Sequence, residues 1–153
     1  MTKKGFTMTD SLHIVCPHCH TTNRISRSNL NTAPNCGSCH QPLFDAHPVM
    51  LDAASFERHI SRNHIPVLVD FWAPWCGPCR QMAPAFEQAA TELEPLVRLA
   101  KVDTEAEQSL GARYNIRSIP TLALFMNGRE VARQAGAMGV YDIVRWTQQH
   151  LPR

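Results

Sequence analysis

The chain has 153 residues, with 15 Lys and Arg against 13 Asp and Glu and a formal charge of +2, a length that holds one ordinary domain or a domain of about a hundred residues with a small appendage. Charges of both signs are mixed without a polybasic tract, so nothing in the electrostatics favours nucleic acid or an anionic membrane as partner. No stretch is apolar for long enough to span a bilayer, and the basic start Met1-Thr2-Lys3-Lys4-Gly5-Phe6 is not followed by the apolar core of a secretory signal, so the expected location is the cytoplasm.

Residues 1–11 read as a flexible N-terminus, with Met8 as an alternative start. Residues 12–47 are rich in Asn, Ser, Thr, Pro and His, and hold four of the six cysteines as Cys16-Pro17-His18-Cys19 and Cys36-Gly37-Ser38-Cys39. The resulting spacing, C-x₂-C-x₁₆-C-x₂-C, is that of a zinc site. Four thiolates complete a tetrahedron around Zn²⁺ with no open position, which makes the metal structural. Ordering this segment costs about 1–2 kcal/mol per residue in backbone entropy, more than its few apolar side chains offset, and zinc binding at about 10–16 kcal/mol supplies much of the difference. The reading is a zinc-binding ribbon with one structural Zn²⁺ on Cys16, Cys19, Cys36 and Cys39; a redox disulfide network and an iron site are the competing readings.

Cys-Pro-His-Cys is also the active-site tetrapeptide of periplasmic thiol oxidants, but the sequel His20-Thr21-Thr22-Asn23-Arg24 does not open the amphipathic helix such a site needs. His18, His20, His40 and His47 surround the cysteines and read as solvated loop residues, since four thiols already fill the tetrahedron. Arg24 and Arg27 are the candidates for offsetting the negative charge of a tetrathiolate metal.

Apolar periodicity begins near residue 48 and continues to the end, which places a second domain over 48–153. It predicts a helix over 53–60, a strand over 67–72, a long helix over 76–93 kinked at Pro84, a strand over 97–103 and a short helix over 105–114. Strands over 121–126 and 130–135 are joined by Asn127-Gly128, a hairpin signal, and an amphipathic helix closes the chain over 140–150. Alternating strands and helices followed by a hairpin and a helix make an α/β fold whose sheet is parallel early and antiparallel late.

The third pair, Cys76 and Cys79 within Trp75-Cys76-Gly77-Pro78-Cys79, falls where the strand over 67–72 gives way to the long helix. A thiolate at a helix N-terminus is stabilised by unpaired N–H groups and by the macrodipole, and the thiolate is the form that attacks disulfides. No second pair stands at zinc spacing from this one. Asp70 lies inside the apolar run Val67-Leu68-Val69-Asp70-Phe71-Trp72, where burial raises a carboxyl pKa and poises it to take a proton.

The segment from Val69 to Cys79 resembles the active-site segment of thioredoxins. Pro84, the run Arg117-Ser118-Ile119-Pro120-Thr121, Asn127-Gly128 and Gly136-Ala137 match further features of that family in order and approximate spacing, over about residues 49–151. The resemblance implies a thioredoxin fold, a central mixed sheet flanked by helices, here preceded by the small ribbon. It implies dithiol–disulfide exchange in which Cys76 attacks a substrate disulfide and Cys79 resolves the mixed disulfide. Asp70 then takes the Cys79 proton with Lys101 as its partner. Pro120, in a cis peptide bond, turns the backbone of Ile119 toward an extended substrate, and Trp75, Gly77, Pro78, Gly136 and Ala137 complete a shallow recognition surface. Gly77-Pro78 belongs with the reducing end of the family, about −270 mV.

A four-cysteine extension before a Trp-Cys-Gly-Pro-Cys domain resembles the bacterial thioredoxin 2 family, although His40 stands where glycine is common in zinc knuckles. The implied function is a cytoplasmic protein-disulfide reductase without a tightly bound organic cofactor, recharged by a flavin-dependent, NADPH-using thioredoxin reductase and acting on disulfide-containing proteins. Two readings compete with it: a ribbon that serves as an interaction module, and a redox sensor in which zinc release changes the redox domain. For the ribbon, few basic residues and a single aromatic, Phe44, count against nucleic acid.

Overall fold

The structure, a computed structural model, describes residues 10–152. The expected flexible leader, as far as residue 9, and the alternative start at Met8 lie outside the described residues. The ribbon opens with a hairpin of β1 (Ser11–Val15) and β2 (Thr22–Ser26), antiparallel with Val15 opposite Thr22, so the first C-x-x-C pair forms the hairpin's end. A bridge between Asn35 and Pro42 closes the second pair in the same way. β2 (Thr22-Asn23-Arg24-Ile25-Ser26) is too polar to carry a strand signal; β1 alternates polar and apolar over Ser11–Ile14 but is only five residues long and straddles the expected leader boundary, with Ser11 already in the strand.

The larger sheet has the order β3-β5-β4-β6-β7, built from β3 (Val49–Met50), β4 (Val67–Trp72), β5 (Arg98–Asp103), β6 (Thr121–Met126) and β7 (Arg129–Ala135). β3, β5 and β4 run parallel, and β6 and β7 are antiparallel, which is the mixed sheet that the order of elements implied. Helix α1 (Ala53–Arg62) starts at a capping box, with the Asp52 carboxylate accepting the Ser55 N–H at 2.9 Å and the Ser55 hydroxyl accepting the Asp52 N–H at 3.1 Å. Helix α2 (Gly77–Leu93) contains Pro84 without being ended by it, and α3 (Gln108–Arg113) and α4 (Val140–Gln149) complete the set. The β6–β7 turn places Asn127 and Gly128 at φ 52° and 80°, the left-handed region a two-residue hairpin requires.

The period of two along β4 divides the core. Val67, Val69 and Phe71 pack with Phe56 and Ile60 of α1 on one face, whereas Leu68 packs with Met82, Phe86 and Ala90 of α2 on the other. Asp70 and Trp72 continue the Leu68 face, the side that α2 covers. Chain order thus carries β4 into the Cys76 junction and leaves the dithiol at the C-terminal end of the parallel strands.

The ribbon docks at the opposite end. Its core of Leu12, Ile14, Leu30 and Leu43 incorporates Ile65 from the lead-in to β4. The Val15 N–H donates to the buried Asn63 side chain at 2.8 Å, the His64 N–H donates to the His13 carbonyl at 2.9 Å, and His20 Nδ1 lies 2.9 Å from Nε2 of the fully buried His59. With β4 six residues long, about 20 Å of strand separates the two ends.

Candidate active site and metal centre

Cys76 caps helix α2 with extended backbone (φ −85°, ψ 114°), and its sulfur accepts the Cys79 N–H at 3.2 Å. The two cysteines are joined as a disulfide with Cα atoms 5.2 Å apart. Cys76 is 5 % exposed and Cys79 1 %. Pro78 in the first turn of α2 lacks an N–H where a helix has none to satisfy. Ala73, Trp72 and Ile119 pack around the pair, and Cys76 Sγ lies 3.8 Å from the Ile119 carbonyl oxygen. The Ile119–Pro120 peptide is cis.

Trp75 is 66 % exposed beside the pair, tethered by its indole N–H donating to Glu105 at 3.1 Å. A Cβ placed on Gly77 or Gly136 would meet nothing within 4 Å, so the surface over the dithiol is open at both glycines; Gly136 and Ala137 are exposed. The Gly136 N–H donates to the Pro120 carbonyl at 2.9 Å, which brings the β7 end next to the cis-proline loop. The Cys76 junction, the cis-proline loop and the end of β7 therefore adjoin one another, with Pro120 itself buried.

Asp70 is fully buried behind this surface, and neither carboxylate oxygen has a hydrogen-bond partner among the described residues. Burial pushes its pKa up to about 7, with the positive charge of Lys101 opposing the shift. Lys101 stands opposite Asp70 in the parallel β4–β5 register. Its ammonium forms no ion pair with Asp70 and instead sits 4.4 Å from the centre of the Trp72 ring, so it acts on the carboxyl through its field. Trp72, whose buried indole N–H has no acceptor among the described residues, is a site residue the sequence analysis did not name; its place two residues after Asp70 in a strand is the available signal.

The other four cysteines converge. The ligand atoms of Cys16, Cys19, Cys36 and Cys39 all lie within 4.8 Å of one another, with the sulfurs of Cys16 and Cys39 and of Cys19 and Cys36 each 3.6 Å apart. A tetrahedral ion with metal–sulfur bonds of about 2.3 Å spaces its sulfurs about 3.8 Å apart, so the four thiols fit such an ion. Cys16 Sγ accepts the N–H groups of His18 and Cys19 at 3.3 and 3.5 Å, and Cys36 Sγ those of Ser38 and Cys39 at the same distances. These donors favour thiolates, the form a metal needs. Asn23, unremarked in the sequence, braces the second knuckle: its amide donates to Cys36 Sγ at 3.5 Å and its carbonyl accepts the Gly37 N–H at 2.9 Å.

Three of the four neighbouring histidines are engaged elsewhere, and His40 is exposed. His18 Nε2 is 3.2 Å from Asp45, His47 Nδ1 is 2.9 Å from Glu87, and His20 meets His59. His20 and His40 each follow a second cysteine with φ of 65° and 67°, so histidine itself takes the left-handed conformation at the position where glycine is common. Behind the cluster lies a cation from the other domain, Arg98, whose guanidinium donates to the Val15 and Leu43 carbonyls.

Comparison with known proteins agrees with both halves of this geometry. A family model described as Thioredoxin matches residues 47–149, and one described as Thioredoxin 2, N-terminal matches residues 15–41. The chain is 46 % identical over 138 residues to Thioredoxin C-3 of Corynebacterium nephridii, covering 90 % of this chain and 94 % of that one. It is 40 % identical over 101 residues to the thioredoxin of Haemophilus influenzae, covering 66 % and 94 %. Among solved structures, a point-mutant thioredoxin from Halobacterium salinarum superposes with a TM-score of 0.64 at 28 % identity, covering 72 % of this chain and 96 % of that one.

Proposed function

Because this chain belongs to the thioredoxin family and is a protein-disulfide oxidoreductase, we propose that it works in the reducing direction, with residues 48–153 as the redox domain and residues 12–47 as a zinc ribbon. The observation that carries the reading is the Cys76–Cys79 pair at the N-terminus of α2, under an open surface and in front of a buried, unpartnered carboxyl.

In the reduced protein the Cys76 thiolate attacks one sulfur of a substrate disulfide. A Cys76–substrate disulfide forms, and the other substrate sulfur leaves as a thiolate that takes a proton from solvent. Asp70 accepts the Cys79 proton, and the Cys79 thiolate attacks Cys76 Sγ, breaking the bond to the substrate and closing the Cys76–Cys79 disulfide; the second substrate sulfur leaves as a thiolate and takes its proton from Asp70 or solvent. The substrate gains two electrons and two protons. A carboxyl with its pKa near 7 suits that transfer, being ionised in a large fraction of molecules at neutral pH and still basic enough to hold a proton.

Trp75, Gly77, Pro78, Ile119, Pro120, Gly136 and Ala137 form the docking surface, where an extended peptide pairs with the backbone of Ile119. A thioredoxin reductase using NADPH returns the pair to the dithiol, and disulfide-containing proteins in the cytoplasm are the substrates. Cys16, Cys19, Cys36 and Cys39 hold one Zn²⁺, whose contribution is to fold the ribbon.

The test is insulin reduction with NADPH and a thioredoxin reductase, comparing wild type with the Cys76→Ser/Cys79→Ser variant, alongside a zinc and thiol titration of the reduced protein. Expected are turnover in the wild type alone, one zinc and two free thiols per chain. Equal behaviour of the two proteins would overturn the reductase reading, and a metal-free ribbon would overturn the zinc reading.

A further inference from the structure

Arg98 is the bulkiest of the fully buried side chains, and the redox chemistry makes no use of it. It opens β5 at the end of the sheet remote from the dithiol, and its side chain bridges from Glu94 of its own domain to the ribbon. One terminal nitrogen donates to the Val15 carbonyl at 3.1 Å and the Leu43 carbonyl at 2.8 Å; the other lies 3.4 Å from a carboxylate oxygen of the buried Glu94. Phe44 covers the guanidinium with its ring centre 4.6 Å away. Val15 immediately precedes the first metal-site cysteine, and Leu43 stands four residues beyond the last.

A guanidinium enclosed in this way loses its hydration and needs opposite charge nearby. One carboxylate touches it, and Asp45 and Cys16 attract it from further away. Four thiolates around a divalent ion carry a net charge of about −2, which likewise needs compensation inside a folded protein. In the sequence Arg24 and Arg27 are the candidates for that compensation, with solvated side chains as the equal alternative. Arg24 is exposed on β2, and Arg98 is the cation enclosed behind the knuckles.

We propose that Arg98 is a positioning residue of the metal site, fixing the chain on either side of the two knuckles through the Val15 and Leu43 carbonyls and balancing the charge of the tetrathiolate ion. The site is then assembled from two domains: the ribbon provides the ligands and the redox domain provides the counter-charge. Glu94, by neutralising part of the guanidinium charge, weakens the site it helps to build. The proposal rests on the reading that the knuckles hold zinc.

The experiment follows zinc transfer from the full-length, zinc-loaded chain to a chromophoric chelator at pH 8, after metal content has been measured. Wild type without zinc overturns the zinc reading itself; wild type with one zinc lets the variants judge Arg98. Arg98→Met is expected to release zinc about 10–100-fold faster, the usual effect of losing a partner just outside a metal's ligands. Arg98→Lys, which keeps the charge and loses the fork, is expected between the two. Glu94→Gln keeps the shape and the acceptor for the Ala46 N–H while freeing the guanidinium charge, and is expected to slow release about two- to fivefold. A role confined to packing predicts the opposite sign for Glu94→Gln. Release from Arg98→Met at the wild-type rate, or from Glu94→Gln at the wild-type rate or faster, overturns the proposal; if Arg98→Met does not fold, Glu94→Gln decides it by sign.

Discussion

The two kinds of cysteine site begin with the same turn. At each C-x-x-C the carbonyl of the first cysteine accepts the N–H four residues on, from His20 at 3.0 Å, His40 at 2.9 Å and Arg80 at 3.1 Å, and its sulfur accepts the N–H of the second cysteine. The two sites part at the next residue. In the ribbon His20 and His40 turn left-handed, and Cys16 and Cys36 close hairpin ends by donating their N–H groups to Thr21 and Gln41 at 2.9 and 2.8 Å. At Cys76 the turn runs on into the seventeen-residue α2. Two returning turns bring four sulfurs together around a point, whereas one continuing turn leaves two sulfurs bonded to each other at the head of a helix dipole. The step after the second cysteine, rather than the cysteines, divides metal binding from exchange.

The sharpest way to break this division is to trap an intermediate. Cys79→Ser removes the resolving thiol and should leave a mixed disulfide between Cys76 and substrate that persists at least about 10³-fold longer than in wild type, seen as an adduct by intact mass. Serine at Cys19 or Cys39 should yield no adduct in a zinc-loaded chain, and an equal yield would erase the distinction.

Next in size is metal removal. Stripping zinc with a chelator should lower the thermal midpoint by on the order of 10 °C. The rate of insulin reduction at 25 °C should stay within about twofold of the loaded protein, since the ribbon lies at the far end of the strands. Loss of turnover in step with zinc would favour the sensor reading.

Asp70→Asn probes the dithiol side alone. The folded protein holds the Asp70 proton to about 7 while the unfolded chain releases it near 3.8, so between those pH values the native state binds more protons and stability falls as pH rises. The contribution is fully present below pH 3.8 and gone above about 7. The variant should therefore be more stable than wild type at pH 8, by about 2–4 kcal/mol in urea unfolding, with a flatter profile between those limits. Resolution of the mixed disulfide should slow by about 10–100-fold and lose its rise through pH 7, while first attack changes little; equal slowing of both steps would remove Asp70 as the proton acceptor.

The smallest effect sharpens the turn argument itself. His40→Gly relieves a side chain at φ 67° and should stabilise the zinc-loaded ribbon by about 0.5–1 kcal/mol in urea unfolding. A destabilised variant would mean that the imidazole makes a contact outweighing the strain.

Strong periodicity made most of the redox domain legible: β4 and β6 fall where the apolar runs place them, and α2 and α4 differ from expectation by one residue at an end. The residues that carry chemistry could be nominated because they stand in contiguous motifs. Others left no such trace. The ribbon's strands have only five residues each and β2 is polar, so cysteine spacing marks a metal site but not the hairpin beneath it. Arg98 lies within the strand expected over 97–103 with nothing local to single it out, because its partners Val15 and Leu43 are 83 and 55 residues away in sequence. Lys101 was paired with Asp70 by resemblance, and register does set them side by side, but nothing in the sequence signals that its ammonium rests on Trp72.

Because the ribbon and the dithiol occupy opposite ends of β4 and β5, the molecule can be held by one end and consulted by the other. A chain anchored to a surface through its ribbon would still present Trp75 and Cys76 to passing disulfides, and a docking protein seated on the knuckles would not compete with substrate. The geometry is that of a tool with a handle, in which the place of work is chosen at one end and the chemistry done at the other.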